Sequence, residues 1–127
     1  MRKPIHRKLE VTKDHWTLIS GRNPTDELSF PSERLQVIFN DTSTPWQDAV
    51  AHAHRESDEI YVVLEGQMAI AVCGELFNVA AGEVLCVPSG TVHQLLRVDV
   101  PHRSLVLRSP SVNDKMEEPP SGLSVPA

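Results

Sequence analysis

Residues 51–66 read AHAHRESDEIYVVLEG, and this segment carries most of what the sequence says about architecture. Its second half is an apolar run, Ile60–Leu64, which consists mostly of β-branched and aromatic residues and which the pair Glu65-Gly66 closes. A short apolar run bounded by a turn signal predicts a β-strand, whose alternate side chains point to opposite faces. Glu59 and Tyr61 therefore share one face. Because both faces of the run are apolar, we expect a central strand that is covered on both sides.

The same unit, a short apolar run followed by a breaker, recurs along the chain. Ten prolines and six glycines interrupt the sequence, and no segment keeps the 3.6-residue apolar period of a helix. The apolar runs are Trp16–Ile19, Leu35–Phe39, Ile60–Leu64, Met68–Val72, Glu75–Val79, Val84–Val87, Val92–Leu96 and Ser104–Leu107. Short runs at regular spacing with turn residues between them predict an all-β sandwich or barrel.

The length of 127 residues fits one domain, which we place at residues 1–127 with its barrel at about 16–108. Residues 109–127 hold four of the ten prolines and few large apolar side chains. Such a segment buries too little surface to offset the entropy of ordering it. We therefore expect an irregular Pro-rich tail that drapes over the barrel or frays.

Composition excludes several functional classes. The formal net charge of -5 argues against a nucleic-acid partner, and no apolar stretch approaches the ~20 residues of a membrane-spanning helix. The basic start, residues 1–8, is not followed by an apolar segment, so we expect a cytoplasmic protein without a secretory signal. Two cysteines form no disulfide framework. Cys86 lies inside the run Val84–Val87, which predicts a buried and inert packing residue.

Histidine placement is the main chemical signal. His52 and His54 are two residues apart, so in a strand they share one face at roughly 6.5–7 Å, and both imidazoles can bind one metal ion. Glu59 follows five residues later, where its carboxylate either faces solvent or meets a cation. His93 comes after the turn residues 88–90, which direct the next strand back into the sheet. Taken singly, each of these residues is also compatible with a structural role.

Taken together, these positions resemble the two sequence motifs of the cupin family. The motifs have the patterns G(x)5HxH(x)3-4E(x)6G and G(x)5PxG(x)2H(x)3N. The chain matches the first at His52, His54, Glu59 and Gly66, and the second at Gly82, Pro88, Gly90 and His93. Trp46 replaces the leading glycine and Arg97 the final asparagine, at turn or strand-end positions rather than at ligands. The spacer, residues 67–81, resembles that of compact single-domain cupins.

The resemblance implies a double-stranded β-helix, a jelly-roll-type barrel, preceded by short N-terminal strands. It also implies one divalent metal held by His52, His54, Glu59 and His93. Three neutral imidazoles and one carboxylate suit iron, manganese, nickel, cobalt or zinc rather than calcium or magnesium. In an octahedral ion four protein ligands leave two positions for water, substrate or dioxygen, as a catalytic site requires.

Two further residues share the predicted ligand face and are candidates for a substrate pocket. Tyr61 either donates a hydrogen bond to a substrate or packs in the core with its hydroxyl satisfied. Arg97 lies four positions after His93 and either binds an anionic group or forms a surface ion pair. The directions of the side chains on the last predicted strand stay open, as does the catalytic residue; these side chains are His102, Arg103 and Arg108.

The resemblance leaves three functional classes, because fold and metal site do not determine a reaction. We favour a metal-dependent enzyme, either an oxygenase or an isomerase or lyase, that acts on a small oxygen-rich molecule. The alternatives are a non-catalytic module that binds a metal or small ligand, and a barrel that uses a metal only for folding. Small cupins often pair through an N-terminal strand, so we also expect a homodimer with Trp16–Ile19 as the pairing run.

Overall fold

A computed structural model describes residues 3–11 and 14–118, and within these residues the chain forms nine β-strands and no helix. The strands are β1 (Trp16–Gly21), β2 (Phe30–Pro31), β3 (Gln36–Thr42), β4 (Ala51–His54), β5 (Asp58–Val72), β6 (Glu75–Ala80), β7 (Val84–Val87), β8 (His93–Ser109) and β9 (Lys115–Glu118). All belong to one hydrogen-bonded network. The same residues include no helix with the length and apolar composition needed to cross a bilayer. The prediction of an all-β double-stranded β-helix is confirmed.

The long strands β5 and β8 run antiparallel to each other and contribute to both layers of the fold. Their register shifts between Val63 and Gln67, and such irregularities bend a strand. On one side of this bend the strand order is β2-β1-β3-β8-β5-β7. On the other side it is β9-β4-β8-β5-β6. Because β5 and β8 continue from one layer into the other at this bend, the two layers pack face to face.

Gly66 lies at this bend, where the fold requires a glycine. Its φ of 79° is in the left-handed region that L side chains rarely adopt. A Cβ added there would come within 2.4 Å of the Asp99 carbonyl oxygen and 2.7 Å of the Pro101 carbonyl oxygen. The backbone of β8 therefore packs directly on the backbone of β5, and no side chain fits between them.

The hydrophobic core lies between the two layers. Val63 and Ile70, from the two halves of β5, are both completely buried. The other buried members of this cluster are Tyr61, Met68, Val79, Val87, Leu95 and Val98. Because alternate side chains of a strand share a face, β5 sends Tyr61 and Val63 into this core before the bend, and Met68 and Ile70 after it.

Over residues 58–64 the outer face of β5 is open to solvent, which corrects the expectation that this run is covered on both sides. Ile60 is 37% exposed and Leu64 is 42% exposed. Cys86 pairs with Ile60 in the register of β5 and β7 and is exposed, so the prediction of a buried Cys86 is wrong. In a two-layer packing each sheet buries only its inner face. Runs that are apolar at every position do not reveal which side chains stay outside.

The expected tail contributes a strand instead of being irregular throughout. β9 pairs antiparallel with β4, from His54↔Lys115 to Ala51↔Glu118. This pairing satisfies backbone hydrogen-bonding groups on the edge of β4, which would otherwise need other partners. The barrel thus extends beyond residue 108, where the sequence placed its end. Residues 119–127 of the expected tail lie outside the described residues.

The run Trp16–Ile19, which we expect at a dimer interface, belongs to β1. β1 pairs antiparallel with β3, and at Ser20 and Gly21 it also pairs with the two-residue strand β2. The homodimer stays a prediction.

Candidate metal centre

Three strands bring the four predicted ligand residues together. β4 carries His52 and His54 on one face, with the small side chains of alanines on the other. His52 pairs in register with His93, which begins β8. Glu59 lies near the start of β5, on the other side of the bend from His93. All four side chains are buried.

The donor atoms of these four residues converge on one point. One donor atom from each residue lies within 4.8 Å of the donor atoms of the other three. His93 Nε2 is 2.8 Å from Glu59 Oε1, and His54 Nε2 is 3.8 Å from Glu59 Oε2. Metal–nitrogen bonds of about 2.0–2.1 Å place opposite ligand atoms about 4 Å apart. The cluster therefore has the dimensions of a metal-binding site.

Hydrogen bonds on the far side of two rings direct their Nε2 atoms into the cluster. The Nδ1 of His93 lies 2.9 Å from the Thr91 carbonyl oxygen and donates to it. The Nδ1 of His54 lies 3.0 Å from Asp114 Oδ1. Ligating histidines usually donate their second ring nitrogen to a carbonyl or carboxylate in this way, which holds the ring in orientation.

His52 is the least satisfied member of the cluster. Its Nδ1 is buried and has no hydrogen-bond partner among the described residues; the Asp48 carboxylate oxygen Oδ2 lies 3.8 Å away. An unpaired buried nitrogen is costly, and three imidazoles with one carboxylate are a donor set suited to divalent transition metals. The residues present therefore fit the metal that the family resemblance implies.

Glu59 and His93 form a charged pair within the cluster. Burial raises the pKa of Glu59, but the hydrogen bond and positive charge of His93, together with smaller effects of His54 and Tyr61, outweigh it, and the pKa is lowered overall. Burial lowers the pKa of His93, but its hydrogen bonds to Glu59 and Thr91 and the negative charges of Glu59 and Asp48 together outweigh this effect, and the pKa is raised overall. Burial, followed by the charge of His93, lowers the pKa of His52. Because ligating imidazoles are neutral, metal binding at this cluster releases a proton.

Tyr61 lies on the ligand side of β5, as the alternation predicts. Its hydroxyl donates to Glu59 Oε1 at 3.1 Å. Burial, together with the negative charges of Glu59 and Asp48, raises the pKa of Tyr61 well above its ordinary value. Tyr61 is therefore a protonated hydrogen-bond donor beside the cluster.

A cavity of about 250 Å³ adjoins the cluster and is lined by His52, His54, Glu59 and Tyr61. Four polar side chains that the sequence did not indicate also line it: His15, Asn40, Asp48 and Lys115. The Trp46 ring stacks on His15 with centroids 4.4 Å apart and forms part of the wall. The cluster thus has access to a pocket with both charge signs in its lining.

Arg97 is not among the residues that line this cavity. It forms an ion pair with Asp99, Nε to Oδ1 at 3.0 Å, and its side chain is 38% exposed. The register shift between Ala69 and Ile70 of β5, opposite Arg97 and Leu95 of β8, interrupts the simple alternation that places Arg97 on the ligand face. Of the two roles considered for Arg97, binding an anionic group or forming a surface ion pair, the structure shows the ion pair.

The three side chains whose directions stayed open point to different surroundings. His102 is completely buried and its Nε2 lies 2.8 Å from Ser104 Oγ. Arg103 lies over the Phe39 ring and 3.7 Å from the Asp41 carboxylate. Arg108 pairs with Asp114 at 2.9 Å and so reaches the surroundings of His54.

The residues that the sequence missed lie outside the two motifs or carry no periodic signal. Asp114 and Lys115 come from the Pro-rich segment, and His15 precedes the first strand. Asp48 lies between β3 and β4, where it accepts a hydrogen bond from the backbone N–H of Leu95. Pairing between distant segments brings His15, Asp114 and Lys115 to the cluster, whereas Asp48 lies only four positions before His52.

Comparison with known proteins supports the resemblance to the cupin family. A family model described as the cupin domain matches residues 42–103, which include both motifs. An uncharacterized protein from Streptomyces coelicolor is 42% identical over 53 residues, covering 42% of this chain and 50% of that protein. The chain thus spans about half the length of the curated relative that it matches.

Several solved structures share the fold. A cupin protein from Bacteroides fragilis aligns with a TM-score of 0.62 at 19% identity, over 86% of this chain and 87% of that one. The nucleoside dehydratase Pac13 from Streptomyces aligns with a TM-score of 0.57 at 16% identity, over 69% and 71% of the two chains. The DMSP lyase DddQ from Ruegeria pomeroyi aligns with a TM-score of 0.58 at 22% identity, over 80% of this chain and 49% of that one. At these identities the likeness shows the fold.

The fold and the cluster together define a double-stranded β-helix with three histidines and a glutamate gathered inside it. Residues 42–103 match the cupin-domain model, and the strands around them form the fold of the solved cupin structures.

Proposed function

We propose that this protein binds one divalent transition metal through His52, His54, Glu59 and His93, and that it acts as a metal-dependent enzyme on a small oxygen-rich molecule. The observation that carries the proposal is the contact between the cluster and the cavity. His52, His54 and Glu59 are both members of the convergent donor set and part of the cavity wall. A metal held there would face a small molecule in the cavity, as a catalytic metal must.

The cavity lining supports proton chemistry. Bound at this cluster, a metal would act as a Lewis acid on a substrate oxygen. Tyr61 offers a neutral hydroxyl, and Asp48 offers a carboxylate whose side chain is 30% exposed. Lys115 adds a positive charge for an anionic or oxygen-rich substrate. A donor and a carboxylate around one cavity favour the isomerase or lyase class over the oxygenase class, with Asp48 as the candidate base and Tyr61 as the candidate donor.

Two proteins of similar fold have names that agree with this preference. Pac13 is called a nucleoside dehydratase and DddQ a DMSP lyase. Both names describe reactions of the lyase type. They support the class of reaction proposed here and say nothing about which substrate this protein uses.

Elemental analysis of protein purified without chelator is expected to find about one divalent transition metal per chain. Reconstitution of stripped protein with iron, manganese, nickel, cobalt or zinc, followed by substrate screening with and without oxygen, identifies the reaction class. We expect turnover that does not depend on oxygen. Iron-dependent oxygen consumption would instead support the oxygenase class, and ligand binding without turnover would support a non-catalytic binding module. Failure of both native and reconstituted protein to hold any metal would overturn the proposal.

We also propose that the protein is a cytoplasmic homodimer without nucleic-acid or membrane partners. Its net charge of -5 supports the exclusion of nucleic acid. The homodimer rests on the resemblance to small cupins, which often pair through an N-terminal strand, and β1 is the strand in that position here. Light scattering is expected to give twice the mass of one chain, and the mass of a single chain would contradict the dimer.

A further inference from the structure

Residues 110–118, here called the C-terminal strap, run along one side of the cluster and lie outside the part of the chain that matches the family model. The strap is anchored at both ends. At its start, the Ser111 N–H donates to the Glu33 carbonyl oxygen at 2.9 Å, and Ser111 Oγ accepts from the Arg22 N–H at 3.0 Å. At its end, β9 pairs with β4, the strand that carries His52 and His54.

Asp114 lies between these anchors and is the most heavily bonded side chain of the strap. Its Oδ1 lies 3.0 Å from His54 Nδ1 and accepts from Arg108 Nη1 at 2.9 Å. Its Oδ2 accepts from the backbone N–H groups of Glu56 and Ser57 at 2.9 and 2.8 Å. The Asp114 side chain is only 4% exposed. The carboxylate therefore ties the loop after β4 and the end of β8 to one ligand histidine.

The contact with His54 has a definite chemical consequence. A carboxylate is only an acceptor, so His54 must carry its proton on Nδ1. The Nε2 lone pair then points into the cluster, where a metal ligand is needed. Because Oδ2 is held by two backbone donors, the Asp114 side chain cannot follow His54 into another rotamer without breaking them.

We propose that Asp114 is a positioning residue of the metal centre, which holds the tautomer and the ring orientation of His54 from the C-terminal strap. The inference rests on the proposed metal-binding function. It assigns a role to a segment that the motifs of the family do not contain.

The test compares Asp114→Asn with Ser57→Ala in zinc competition against a chromogenic chelator. An asparagine has one oxygen, so it can accept from His54 or from the backbone groups, but not from both. Ser57→Ala removes a hydroxyl 2.8 Å from Asp114 Oδ2 and leaves the contact with His54 in place. We expect Asp114→Asn to weaken zinc binding by about 10–100-fold, the range for partners of metal ligands, and Ser57→Ala to weaken it less than about threefold.

The tautomer of His54 provides a readout that loss of stability alone would not change. Nitrogen-15 NMR of stripped, folded protein is expected to show Nδ1–H in the parent and in Ser57→Ala, and a shift toward Nε2–H in Asp114→Asn. This measurement needs no metal. An unchanged tautomer together with unchanged zinc affinity in Asp114→Asn would overturn the inference and leave the metal centre standing. A parent protein that binds no zinc would overturn the proposed function, and the metal-positioning role of Asp114 with it.

Discussion

Replacing Gly66 with alanine is expected to destabilise the protein by about 3–5 kcal/mol, a large share of the roughly 5–15 kcal/mol that holds a domain folded. Two costs add at this position. The φ of 79° is strained for any residue with a Cβ. The Cβ would also lie 2.4 and 2.7 Å from two carbonyl oxygens of β8, which are backbone atoms and cannot rotate away as a side chain would.

Gly74→Ala is the matched control, because Gly74 has nearly the same φ of 82° and nothing within 4 Å of an added Cβ. It should cost only about 1–2 kcal/mol, the strain of the left-handed conformation. Urea unfolding of both variants in chelator measures the difference without a contribution from metal. Equal losses of unfolding free energy would show that β8 moves away from residue 66 at no cost, against the packing described for the bend.

The position of the bend extends this prediction to the cluster. Glu59 lies on one side of Gly66 along β5, and His93 pairs with β5 on the other side. A shift of β8 at the bend therefore changes the separation of two proposed ligands. Gly66→Ala should weaken zinc binding more than Gly74→Ala does, which chelator competition on the folded variants would measure.

Exchanging His93 for glutamine is expected to weaken zinc binding by about 100-fold or more. Protein zinc sites bind with roughly 10–16 kcal/mol over four ligands, so one ligand supplies about 3 kcal/mol, and about 1.4 kcal/mol is tenfold in affinity. Glutamine keeps an N–H donor for Glu59, which otherwise would be left as a poorly compensated buried carboxylate. His93→Gln should therefore fold, whereas His93→Ala adds the cost of a buried Glu59 carboxylate that keeps the Tyr61 hydroxyl but loses its closest donor.

Thermal unfolding gives a second measurement of the same prediction. A ligand at 100 times its dissociation constant stabilises the native state by about 2.7 kcal/mol, so zinc should raise the melting temperature of the parent protein by several degrees. The rise should be lost in His93→Gln and retained in His6→Ala, a control that removes an exposed histidine far along the sequence from the cluster. A full zinc-dependent rise in His93→Gln would exclude His93 as a ligand.

The strands of the barrel and the residues of the cluster could be anticipated because their signals are local. Alternation along Ile60–Leu64 places Tyr61 on the inner face with Glu59, as the structure shows. The spacing from His52 to Gly66 and from Gly82 to His93 resembles a known pair of motifs, and the four candidate ligands do converge. Both kinds of signal depend only on residues a few positions apart.

Other features depend on which distant segments pair, and short-range patterns carry no record of that. Cys86 and Ile60 lie in runs that are apolar throughout, so their exposure follows from which face the second layer covers. Arg97 leaves the predicted face because a register shift interrupts the alternation. Asp114 reaches His54 across 60 positions of sequence, through a segment whose prolines indicate an irregular tail. The apolar period and the residue spacing thus determine where strands form and which chemical groups they carry. Pairing between distant strands decides the surroundings of those groups, because hydrogen bonds and packing act across space and not along the chain.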